Sequence, residues 1–136
     1  MNQFQENNSN LRIMYLNTQG QTKFTHEKQL HIKDLICEHK CDILHLQEVE
    51  IDSDSFSRCP FITNNFTILT NNSSTTYGTA SLICNDLEIS NVSFDTEGRI
   101  IVFDVGPLTT CNVYLTAGSD AVSRSLREKI LCRDSP

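Results

Sequence analysis

Apolar and polar positions run in blocks along this chain, and the spacing within the blocks changes from strand-like to helical and back. Leu11 to Leu16 is β-rich and mostly apolar, as in a strand covered on both faces. Asn17-Thr18-Gln19-Gly20 follows with turn chemistry, which predicts Asn17 at a strand end. Ile32, Leu35, Ile36 and His39 then recur at helical spacing, while Glu27, Lys28, Lys33 and Glu38 supply polar positions. A helix from about His26 to Glu38 is predicted, with Thr25 as its N-cap. Ile43, Leu44 and Leu46 form the next apolar run, in a segment from Asp42 to Gln47 that leads into Glu48. Strand, helix and strand make a βαβ-like unit with parallel strands, and such a unit brings Asn17 and Glu48 to one edge.

After Glu48 the texture changes. Ile51 to Cys59 is polar and aperiodic, Phe61 to Thr70 reads as a strand, and Asn71 to Thr76 reads as a loop. Thr79 to Cys84, Leu87 to Phe94, Ile100 to Val105 and Thr110 to Leu115 are short and β-rich. Turn-like Asn85-Asp86, Glu97-Gly98 and Gly106-Pro107 separate them, the pattern of consecutive, mostly antiparallel strands. Val122, Leu126 and Ile130 mark a last helix, capped by Ser119 or Asp120. Residues 1–10 hold only Phe4 as a large apolar group and are expected to be a flexible lead-in, leaving 11–136 as one domain.

At 136 residues the chain has room for a single core. Its 11 Lys and Arg against 17 Asp and Glu give a net charge of -6, which excludes a broad basic surface for nonspecific nucleic-acid binding. Any grip on phosphate has to be local. The N-terminus shows no apolar signal segment, so the six cysteines are expected to be reduced, intracellular thiols. No run reaches the roughly 18 apolar residues of a membrane span. His31, Cys37, His39 and Cys41 invite a zinc reading, but Cys37 and Cys41 share a helix face that His39 does not, and no second ligand pair follows.

Four stretches together carry a likeness. Leu11 to Asn17, Asp42 to Glu48, Tyr77-Gly78-Thr79-Ala80, and Glu97-Gly98-Arg99 leading to Asn112-Val113-Tyr114 resemble, in order and spacing, the N-terminal part of the endonuclease/exonuclease/phosphatase superfamily. Within it they look most similar to the apurinic-type endonuclease domain of non-LTR retrotransposon polyproteins, in which an Asn-Val-Tyr segment precedes a small-residue loop and an Arg-containing helix, here Ala117-Gly118 and Arg124 to Arg127. The resemblance implies an α/β fold of four layers, α/β/β/α, with only the N-terminal half present. It implies Mg²⁺ or Mn²⁺ at Glu48, a metal that takes one or two carboxylates beside water and substrate phosphate. Asn17 is then expected to orient metal-bound water or a phosphate oxygen, Tyr114 to donate to the scissile phosphate, and Arg99 to contact a backbone phosphate of DNA. Each residue also has a plain structural reading: a solvated strand end for Glu48, packing for Tyr114, a turn charge for Arg99, an Asx-type cap for Asn17.

Departures from the family pattern matter equally. Gln19 stands where many members of the superfamily carry an acidic residue or Asn. The Gly-Asp-Phe-Asn and Asp-His motifs are absent, and the last histidine is His45. A truncated endonuclease domain with little or no turnover of its own is therefore expected. A non-catalytic remnant that binds or dimerises through its exposed sheet is the second reading, and a lipid-phosphate phosphoesterase of the same fold the third.

Overall fold

The computed structural model describes residues 11–21, 25–51, 55–72 and 77–115. The expected lead-in over residues 1–10 and the expected last helix lie outside the described residues.

Nine elements follow one another: β1 (Ile13–Gln21), α1 (His26–His39), β2 (Ile43–Val49), α2 (Pro60–Asn65), β3 (Phe66–Asn71), β4 (Gly78–Cys84), β5 (Ile89–Phe94), β6 (Ile100–Val105) and β7 (Leu108–Val113). They build two sheets, one ordered β1-β2-β4-β3 and one ordered β5-β6-β7. The β1–β2 pair is parallel, as the βαβ reading requires, and every other pair is antiparallel. Helix α1 begins where expected: the Thr25 side chain accepts from the Lys28 N–H at 3.3 Å. It ends at Lys40, whose left-handed backbone (φ 51) lets its N–H close on the last turn.

Alternation along the strands assigns their faces. Leu44 and Leu46 of β2 and Ala80 and Leu82 of β4 join Ile32 and Ile36 of α1, Ile62 of α2 and Phe56 in one core, which lies between the helices and the first sheet. Ile43 and Ile83 point the other way and meet Ile101, Phe103 and Val105 of β6 in a second core between the sheets. Three layers are thus described: helices, four-stranded sheet, three-stranded sheet. Cys41 and Cys59 are buried in the first core, and burial pushes the Cys41 thiol up to about 11, so it behaves as a small apolar group. Among the described residues Cys37, Cys41, Cys59 and Cys84 are free thiols.

Four expectations are corrected. The strand expected over Phe61 to Thr70 begins only at Phe66, because Pro60 at the first helical position opens a short helix that buries Ile62. Leu87 lies outside β5, which starts at Ile89, and β7 starts earlier than expected, at Leu108. The first strand also does not end at Asn17: its pairing with β2 becomes irregular there and resumes at Gln21, opposite Val49.

Candidate functional site

The irregularity beside Asn17 has its counterpart in β2, and together they make the site. Against β4, Gln47 pairs with Thr79 and Val49 with Gly78, so Glu48 is one extra residue in the ladder. This is a β-bulge, and Glu48 occupies it with φ 55, a left-handed backbone that a non-glycine residue adopts at a cost of about 1 kcal/mol or more. Its consequence is directional. Ile43, His45 and Gln47 face the second sheet by alternation, and an unbroken strand would send Glu48 to the helix side. The bulge instead leaves Val49 and Ile51 in the core under the helices and keeps Glu48 on the same side as Gln47. Thr18 secures the distortion, its hydroxyl lying 3.2 Å from the Gln47 carbonyl and 2.7 Å from the Glu48 carbonyl.

The four residues singled out in the sequence meet there. Asn17 Nδ2 lies 3.5 Å from Glu48 Oε1. The Tyr114 phenol, at the end of β7, faces the same carboxylate: burial pushes its ionisation above the usual phenol range, the hydrogen bond and charge of Glu48 push it further, and Arg99 pulls it back. Arg99 arrives on the β5–β6 loop. Asp95 Oδ1 shapes that loop by accepting from the N–H groups of Arg99 and Ile100 at 3.0 Å and from Asn71 Nδ2 at 2.8 Å. The Arg99 carbonyl in turn accepts from the Tyr114 N–H at 2.8 Å, fastening the loop to β7. Arg99 Nη1 is buried without a hydrogen-bond partner, a donor left over for an anionic acceptor.

Behind the site runs a strip of buried polar side chains that the sequence reading did not identify. His45 sits between the Ser81 and Thr110 hydroxyls, each 2.8 Å from a ring nitrogen. Gln47 Nε2 donates to Asn112 Oδ1 at 2.9 Å, and Asn112 Nδ2 reaches the Leu46 and Ala80 carbonyls and Ser81 Oγ. His45 and Asn112 are fully buried. The signal was present: His45 and Gln47 on one strand and Thr110, Asn112 and Tyr114 on another are polar at every second position, which an apolar-run reading overlooks.

The donor set fits a hard divalent cation. Glu48 offers one half-buried carboxylate, and among the described residues no group of three or more His, Cys, Asp or Glu comes together to hold a metal. A single carboxylate is the ligand type that a hard divalent cation takes one or two of, with water and phosphate completing its shell. Among the described residues no helix is long and apolar enough to cross a membrane.

No protein-family description matches the chain, and no curated protein sequence matches it. Solved structures do. A 3′ phosphatase, NExo from Neisseria bound to a product DNA hairpin, is 21% identical with a TM-score of 0.64, over 88% of this chain and 48% of that one. TDP2 from D. rerio, complexed with single-strand DNA product, is 11% identical with a TM-score of 0.63, over 93% and 56%. An AP endonuclease from Archaeoglobus fulgidus is 19% identical with a TM-score of 0.60, over 91% and 49%. The chain thus shares an α/β fold with these solved structures. It spans about half the length of the solved structures it matches.

Proposed function

We propose that this chain carries the metal-binding half of a DNA phosphodiesterase site, of the retrotransposon endonuclease type. The observation that carries the reading is the bulge at Glu48, which brings a carboxylate, an amide, a phenol and a guanidinium from four segments to one point. Glu48 would hold Mg²⁺ or Mn²⁺, and the bound ion supplies positive charge to a phosphodiester that this acidic chain otherwise repels. Tyr114 keeps its proton to high pH and so remains a donor to a phosphate oxygen. Arg99 would contact a backbone phosphate of the DNA through its guanidinium. Asn17 orients the carboxylate through its amide.

None of these groups removes a proton from water. His45, the last histidine, is fully buried and held neutral by desolvation, which lowers it to about 4, and it is engaged by two hydroxyls. The 136-residue polypeptide alone is therefore expected to bind metal without appreciable turnover. Mn²⁺ binding followed by electron paramagnetic resonance, with a supercoiled-plasmid nicking assay beside it, tests both parts. Binding lost in Glu48→Gln with nicking at background is the expected pair of results. Unchanged Mn²⁺ affinity in Glu48→Gln refutes the site, and Mg²⁺-dependent nicking abolished by Glu48→Ala refutes the inactivity.

A second reading, self-association, has one observation in its favour. Among the described residues β1 and β7 are outer strands of their sheets, and Tyr15, 58% exposed, spans from one to the other by donating to the Cys111 carbonyl at 3.3 Å.

A further inference from the structure

We propose that Gln47 and Asn112 are a positioning pair: their amide bridge sets the separation between Glu48 on one sheet and Tyr114 on the other. The inference builds on the proposed site but concerns its geometry, and it holds whether or not Glu48 takes a metal.

The two sheets are separate ladders, so no backbone hydrogen bonding of sheet type fixes how far one slides along the other. The apolar contacts between them, Ile43 and Ile83 against Ile101 and Phe103, are non-directional and lie away from the site end of the strands. A directional contact near that end is needed to hold a carboxylate and a phenol at hydrogen-bonding separation. Gln47 and Asn112 are placed to provide it. The bulge puts Gln47 beside Glu48 on the same face, and Asn112 of β7 lies two residues before Tyr114, which follows directly on the end of that strand. The bridge between them measures 2.9 Å, and the far side of Asn112 is anchored to the Leu46 and Ala80 carbonyls at 3.2 and 2.8 Å. Asn112 is fully buried and Gln47 is buried, so water cannot readily replace the bridge. The His45–Thr110 contact is a similar bridge one step further from the site, and it serves as an internal control.

Incorporation of 3-fluorotyrosine gives each of the 3 tyrosines a fluorine resonance. Tyr114 is assigned by its loss in Tyr114→Phe, and its displacement in Glu48→Gln calibrates its response to the carboxylate. In Gln47→Met, which keeps the volume and removes the bridge, the Tyr114 resonance is expected to move toward its Glu48→Gln position while unfolding stays cooperative. Thr110→Val, which breaks only the control bridge, is expected to leave it in place. Asn112→Thr, too short to reach Gln47, is the second variant should Gln47→Met fail to fold, and it is expected to give the same displacement. A Tyr114 resonance unmoved in a folded bridge variant, or moved as far by Thr110→Val, overturns the proposal. A chain that binds no Mn²⁺ yet shows the displacement sinks the proposed function and leaves the positioning pair standing.

Discussion

Glu48 bears two demands that pull in opposite directions, the carboxylate that the proposed site needs and a left-handed backbone that favours glycine. Stability measured on two replacements separates them. Glu48→Gly is expected to be about 1 kcal/mol more stable than Glu48→Ala, since both remove the carboxylate and only one relieves the backbone; urea midpoints that rank Ala above Gly would show that the bulge is not strained. His45 supplies the pH dependence. Its ionisation lies at about 4 in the fold against 6.5 when solvated, so between those values the unfolded chain binds the extra proton. The stability it contributes is complete above 6.5 and falls as pH drops, by about 2 kcal/mol at pH 5. Urea unfolding at pH 7 and pH 5 reads this slope, and His45→Gln should flatten it. At this scale motif order singled out Asn17, Glu48, Tyr114 and Arg99, which the structure brings near one another. The sequence was opaque for Gln47 and Asn112, because a buried amide looks like any polar strand residue until its partner on a distant strand is known.

The elements were easier to read than their ends. A helical repeat, a cap and two apolar runs lead directly to β1, α1 and β2, and the parallel pairing of those strands follows from the crossover between them. The bulge did not follow, because it depends on how β2 meets β4, and no local pattern encodes a register against a strand some thirty residues away. Gly78 is where that register is tightest. A Cβ there would run into the Asn71 carbonyl oxygen and come within 2.7 Å of Asn72 Cα, both backbone atoms that cannot rotate away. Gly78→Ala is thus expected to destabilise the chain by about 2 kcal/mol. Because Gly78 pairs with Val49 across the bulge, Mn²⁺ affinity should fall with it. A variant as stable as the parent would mean that Asn71 and Asn72 do not crowd Gly78.

On the scale of the whole molecule, the described residues cover the two faces of the first sheet with different layers, helices on one and the second sheet on the other. Among the described residues β1 and β7 are the last strands of their sheets, and the Tyr15 hydroxyl joins them by donating to the Cys111 carbonyl. The matched structures are about twice as long as this chain, so in them further polypeptide accompanies the portion that aligns. Free strand edges promote pairing with other strands, and a charge on an edge strand opposes it. If a second copy meets these edges, light scattering should show the average mass rising with concentration from that of one chain toward that of two. Tyr15→Lys, which places a charge on β1 and removes the bond to β7, should hold the protein at the mass of one chain over the same range. A wild-type protein that stays monomeric at every concentration would rule out self-association and leave the half-site to act only alongside other polypeptide.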